Sequence, residues 1–216
     1  MVIKDSVSNL VKWCTAIGWL CGSFYTGLVM AIEEPVYSII EKSGDLELRA
    51  YEPRIVAQTT VLGSMDNASK VGFRRIADYI FGDNTATGGR QKKISMTTPV
   101  ILQPHSEKIS MTEPTSLEQA DGQWRIKFIM PGTYTSETLP EPNNSAVTLH
   151  EMAAGNYAAI RFSGLANEME TAKRTATLMN WLNRRGINPI GRPLLARYDS
   201  PWTLPFLRRN EILVAY

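Results

Sequence analysis

Two stretches of this chain echo one another at an offset of 101 residues. Positions 46–63 read LELRAYEPRIVAQTTVLG and positions 147–164 read VTLHEMAAGNYAAIRFSG. Leu46 aligns with Val147, Leu48 with Leu149, Ala57 with Ala158 and Gly63 with Gly164. Identities are few, but the order of elements repeats too, because each stretch runs on into a helical pattern. After the first, Phe73, Ile76, Ala77 and Ile80 recur at helical spacing and the pattern stops at Gly82. After the second, Met169, Ala172, Ala176, Met179 and Leu182 form a similar stripe ending at Gly186. Short β-branched or aromatic runs bounded by Gly, Pro, Asn or Asp predict strands at 36–40, 46–51, 55–61, 94–96, 100–102, 124–130, 147–150, 157–162 and 212–216. The expectation is therefore two halves, each strand–strand–helix–strand, related by a pseudo-two-fold axis. Together they make an α+β fold, a distorted antiparallel β-barrel or sheet with two helices. Such a fold leaves a cleft between helix and sheet where a ligand can sit.

A second repeat is shorter and cleaner. KISMTTP at 93–99 recurs as KISMTEP at 108–114, fifteen residues on. The twin openings predict adjacent strands, each closed by a proline that cannot donate to a ladder.

The N-terminus stands apart from this pattern. Residues 13–32, WCTAIGWLCGSFYTGLVMAI, carry no charge, and as a helix they would span about 30 Å. An N-terminal apolar helix of that kind reads either as a membrane anchor or as a signal peptide, with a cleavage pattern at Val29-Met30-Ala31. Lys4 and Lys12 before it would keep the N-terminus in the cytoplasm. Residues 1–32 are thus read as anchor or signal, and 33–216 as the folded domain. Both cysteines, Cys14 and Cys21, fall in the first part, about 10.5 Å apart along a helix, too far for a disulfide. The domain therefore has neither disulfides nor thiol catalysis.

Composition narrows the chemistry further. Hydrophobic residues make up 44% and charged residues 20%, a globular balance rather than a disordered one. The net charge of +2 gives no case for nucleic acid. No GxSxG, Walker loop, GxGxxG, HExxH or paired CxxC is present, so no enzyme motif is recognisable. His105 and His150 are the only histidines. Methionines are plentiful, and Met suits surfaces that accept flat apolar ligands. Lys70, Arg74 and Arg75 on the first helix, and Lys173, Arg174, Arg184 and Arg185 on or beside the second, could pair with ligand carboxylates.

The blocks EEPVYSIIEKSGDLELRAYEPRIVAQT (33–59), GFRRIADYIFGDN (72–84), KKISMTTPVI (92–101), FIMPGTY (128–134), VTLHEMAAGNYAAIRFSG (147–164) and YDSPWTLPFLRRNEILV (198–214) resemble the SOUL haem-binding protein family. That resemblance implies the same pseudo-symmetric barrel. It also implies non-covalent binding of haem or a related tetrapyrrole such as protoporphyrin in a hydrophobic cleft beside the first helix, for buffering, transport or delivery. On that basis Met65, Lys70 and Arg74 are cleft candidates, the two basic residues as propionate partners, and Met96 and Met111 are candidate wall residues. The expected partners are the tetrapyrrole and, if residues 13–32 are retained, the membrane. No nucleic acid or obligate protein partner is expected. The expected location is a bacterial cell envelope, inner-membrane anchored or periplasmic. The fold is also similar to bacterial sensor domains for amphipathic cations. A site of that kind needs a cleft carboxylate, for which Glu47, Glu151 and Asp78 are candidates. Removal of iron from a tetrapyrrole is a further alternative, because that chemistry has no short motif.

Overall fold

The computed structural model describes residues 32–105 and 122–216. The predicted anchor or signal segment, both cysteines, the 108–114 repeat and Met111 lie outside the described residues. Among the described residues, no helix is long and apolar enough to cross a membrane.

The chain runs β1 (Tyr37–Ser43), β2 (Leu46–Tyr51), β3 (Arg54–Leu62), α1 (Met65–Phe81), β4 (Asn84–Thr85), β5 (Val100–His105), β6 (Gln123–Ile129), β7 (Glu141–Pro142), β8 (Thr148–Met152), β9 (Gly155–Phe162), α2 (Glu168–Asn183), β10 (Leu194–Arg197) and β11 (Asn210–Ala215). Nine strands form one antiparallel sheet in the order β1-β2-β9-β11-β10-β5-β6-β3-β8, and β4 pairs with β7 apart from it. The order is a palindrome about the β10–β5 pair once β1 is set aside. β11 mirrors β6, β9 mirrors β3 and β2 mirrors β8. The 101-residue offset carries β2, β3 and α1 onto β8, β9 and α2 to within about two residues. The pseudo-two-fold axis expected from the repeat therefore passes between β5 and β10.

Helix α1 starts at Ser64, whose side chain accepts a hydrogen bond from Asn67 N–H, and stops at Gly82 in a positive-φ conformation. It buries Met65, Ala68, Gly72, Ile76, Ala77, Tyr79 and Ile80 against the sheet. Phe73 sits at the rim of that stripe, its ring 5.3 Å from Phe128. The face of α2 differs from the expected one. The buried residues are Thr171, Thr175, Leu178, Trp181 and Leu182, while Met169 is 83% exposed. The threonines can face the core because each hydroxyl donates to a carbonyl one turn back, Thr171 to Asn167 and Thr175 to Thr171. With the hydroxyl satisfied, a threonine packs like a small apolar residue.

One strand expectation is also corrected, and one strand not expected from the sequence is present. Residues 94–96 form no strand. Ile94 N–H donates to the Ile80 carbonyl at the end of α1, and its side chain joins the core beneath. Strand β10, by contrast, has no alternation to betray it. Leu195 packs on the helix side, and Leu194 and Ala196 pack on the other, so all three apolar positions are buried.

Both faces of the sheet are therefore covered in apolar contacts. The larger cluster lies under the helices around Trp124, Ile126, Phe128, Leu178 and Ile212. The smaller cluster, on the opposite face, gathers Val56, Ile101, Ile129, Ala159 and Leu213. Gly72 fixes how closely α1 approaches β6, since a Cβ there would lie 2.6 Å from Ile126 Cγ1 and 2.8 Å from its Cβ. Gly72→Ala is accordingly expected to lose about 2 kcal/mol of stability in a denaturant titration, despite alanine's higher helix propensity. A neutral or stabilising result would contradict this packing.

Candidate functional site

The face away from the helices holds a buried charge network that sequence reasoning did not single out. Glu211 on β11 is fully buried. Arg49 on β2 grips it with two bonds, Nη1 to Oε2 at 2.7 Å and Nη2 to Oε1 at 3.1 Å. Arg209 Nε donates to Glu211 Oε1 at 3.0 Å, and the Tyr198 hydroxyl donates to Oε2 at 2.8 Å. Arg49 also donates to Glu47 and to the Tyr51 hydroxyl, and it stacks 4.4 Å over Tyr37. Arg209 reaches Glu34 at 2.9 Å, tying the segment before β1 onto this face. Burial by itself would raise the Glu211 carboxyl; the Arg49 bonds and charge, with Arg209 and Tyr198, outweigh it and hold the group below the usual range. The signal in the sequence was a lone carboxylate in an otherwise apolar strand, NEILVA.

Two clefts stand out among the described residues. The larger, about 690 Å³, is lined by Glu33, Glu34, Glu52 and Glu151 together with Ile55, Ile129, Met130, Met152 and Tyr134, with Arg54 as its lone cation. The smaller, about 250 Å³, lies between Asp66 in the first turn of α1, residues 164–167 before α2, and the connection from β10 to β11. Arg197 and Arg208 line it. Arg197 donates to Ser69 Oγ and to the Ala166 carbonyl, fastening the start of both helices to β10. Burial works against its charge; Asp66 opposes that and Arg208 adds to it, and the net shift is downward.

The connection around the smaller cleft is preformed. Arg208 donates to the carbonyls of Thr203 and Pro201, Arg209 N–H donates to Asp199, and Gly164 N–H donates to the Pro205 carbonyl. These bonds present apolar side chains outward. Trp202 is 90% exposed, and Leu204, Phe206 and Leu207, close to it in sequence, are exposed as well, as are Leu165 and Met169 around the start of α2. A run of that kind is unusual on a monomer's surface and marks a site of contact.

The residues predicted for the site are dispersed. Met65 is buried in the helix-side core. Lys70 and Arg74 are exposed on α1, at the spacing that continues one stripe from Asp66 of the smaller cleft. Met96 is half-buried in the irregular segment after the β4 region. None of these four lines either cleft. Of the carboxylates weighed for a cationic ligand, Glu151 lines the larger cleft, where Ser136 Oγ donates to it. Glu47 is instead paired with Lys42 and Arg49, and Asp78 is exposed on α1. His105 accepts from Arg125, His150 lies beside Thr148, and neither lines either of these two clefts. Among the described residues, no three His, Cys, Asp or Glu side chains are grouped so as to hold a metal ion.

The architecture is that of a pseudo-symmetric α+β half-barrel with two helices on one face. Residues 32–215 match the sequence profile described as SOUL heme-binding protein, and the chain belongs to that family. It is 26% identical over 174 residues to Heme-binding protein 1 of Xenopus laevis, covering 80% of this chain and 84% of that one. Among solved structures, the crystal structure of the EcmrR C-terminal domain is similar with a TM-score of 0.56 at 12% identity, covering 83% of this chain and 97% of that chain. A hydrolase from Listeria innocua is similar with a TM-score of 0.52 at 12% identity, covering 81% and 93%. These two likenesses are of fold.

The Glu211 network yields a test of its own. Glu211→Gln leaves two guanidiniums without their carboxylate and is expected to cost about 3–5 kcal/mol at neutral pH by denaturant unfolding. Because the folded-state carboxyl sits below its unfolded value of 4.5, its contribution is present above that pH and lost as pH falls through the folded value. The gap between the two proteins should therefore narrow below pH 4.5; a gap that is small at pH 7, or constant down to pH 2, would contradict this account.

Proposed function

We propose that this chain binds haem or a related tetrapyrrole non-covalently, against the apolar surface of the 200–207 connection. The propionates are directed towards Arg197 and Arg208, with Lys70 and Arg74 next along α1. One observation carries this reading within a haem-binding family: exposed Trp202, Phe206 and Leu207 adjoin a cleft lined by two arginines. Haem is flat and apolar with two carboxylates on one edge, so it needs that pairing of surfaces. The acidic larger cleft does not suit the propionate edge. With no histidine lining the smaller cleft, the residues hold the porphyrin ring and its carboxylates rather than the iron. Binding, buffering or delivery of the tetrapyrrole is the role that fits, in a cell envelope to which residues 13–32 anchor or export the domain.

Titration with hemin and with metal-free protoporphyrin tests this. Both are expected to saturate with similar affinity, and His105→Ala and His150→Ala should leave hemin binding unchanged. Trp202→Ala, at an exposed position, should keep the fold and weaken both ligands about tenfold. Failure of both ligands to saturate at micromolar protein sinks the proposal, and tight hemin binding without protoporphyrin binding would replace it with an iron-ligated site.

A second reading draws on the larger cleft. Four glutamates beside Ile55, Met130, Met152 and Tyr134 suit an amphipathic organic cation. A panel of lipophilic cations should then bind, with Glu151→Gln weakening them. Binding unaffected by that change would remove this reading.

A further inference from the structure

The two pseudo-equivalent halves of the helix-free face treat their charges differently. In the half built on β2, β9 and β11, Arg49 and Arg209 are neutralised by buried Glu211. In the other half, Arg125 and Lys127 on β6 alternate with core residues Trp124, Ile126 and Phe128, so they project from the helix-free face. The neighbouring strands place Thr60 of β3 and Gln103 of β5 opposite Arg125, and Gln58 and Ile101 opposite Lys127. Those neighbours are polar or apolar, and none is acidic.

Among the described residues, the hydrogen bonds of these cations are to neutral groups. Lys127 Nζ donates to Gln103 Oε1 at 3.1 Å, and Arg125 Nη2 donates to His105 Nδ1 at 2.8 Å. Arg54, at the start of β3, donates to the Glu52 carbonyl and stacks over Tyr51 and Tyr157. Among the described residues, no carboxylate pairs with any of the three. The Nε–H groups of both Arg54 and Arg125 are buried with no hydrogen-bond partner, which a native structure rarely tolerates without a water, ligand or ion to satisfy them. Burial, then the charges of Arg125 and Arg54, push Lys127 down to about 8.

We propose that the Arg125–Lys127 cluster on the helix-free face is a receptor for an oxyanion, a carboxylate or phosphate group of a small molecule. The anion takes the place that Glu211 fills in the other half of the sheet. It accepts from Lys127 Nζ and from the unpartnered Arg125 Nε–H, and Arg54 adds its field. The site is separate from the arginines of the smaller cleft, so it stands or falls independently of tetrapyrrole binding.

The experiment is thermal unfolding of the full chain with inorganic phosphate and, separately, with citrate, each against sodium chloride of equal ionic strength. A saturable rise in Tm of about 3 °C is expected at ten times the half-saturating concentration. Response to phosphate alone or citrate alone supports the proposal and identifies the source of the anion. Lys127→Met and Arg125→Gln should abolish the response while hemin titration is unchanged. Removing the crowded lysine is expected to raise the basal Tm, so that variant folds and the comparison holds. As an independent readout, the Lys127 side-chain carbon followed by NMR should titrate at higher pH when the anion is bound. No response beyond the chloride control, or an equal response in Lys127→Met, overturns the proposal.

Discussion

The Arg49–Glu211 pair is the constraint on which the helix-free side of this molecule depends. A fully buried carboxylate is tolerated only if its lone pairs are filled, and here two arginines and a tyrosine fill them. Each partner comes from a different place in the chain. Arg49 belongs to β2, Tyr198 follows β10, and Arg209 extends the network to Glu34 ahead of β1. The same residues therefore fix where the first segment of the domain lies and where the 199–208 connection begins and ends. That connection carries the exposed tryptophan and one cleft arginine, Arg208, and it starts just after the other, Arg197, so the position of the proposed tetrapyrrole surface is set from the opposite side of the sheet.

Pseudo-symmetry explains the second level of organisation. The sheet order is palindromic, and each half contributes one helix to the same face. What differs is the chemistry placed on equivalent scaffolding. One half of the helix-free face closes its own charges, while the other leaves Arg54, Arg125 and Lys127 without an acidic partner among the described residues. The approach to α2 meets an exposed aromatic connection, held by the bond from Gly164 N–H to the Pro205 carbonyl. A duplicated frame with divergent surfaces can hold more than one kind of ligand, because backbone geometry is fixed by the repeat and side chains are not.

Much of this frame was legible in the sequence. The 101-residue offset gave the halves, and β2 falls on the expected residues 46–51. Alternation and turn residues are local properties, so strands with one solvated face declare themselves. What stayed hidden depended on contacts across the fold. Strand β10 is buried on both faces and has no alternation. The inner face of α2 uses threonines, which a hydropathy pattern reads as polar until their bonds to the helix backbone are seen. Met65 belongs to the core rather than to a cleft wall, since the first turn of α1 points inward. Of the three candidate carboxylates, Glu151 lines the larger cleft, and Glu47 and Asp78 could not be separated from it without the sheet register. Glu211 needed its distant partners, 162 residues away in the case of Arg49.

The functional account comes down to a division of labour between an apolar surface and its basic margin, with the iron left to solvent or to an added ligand. The most direct test is the absorption spectrum of the full chain purified from haem-replete cells. A Soret band that is lost in Trp202→Ala is the predicted result. A preparation without tetrapyrrole absorption, which remains without it after hemin is added and excess removed, would contradict the account.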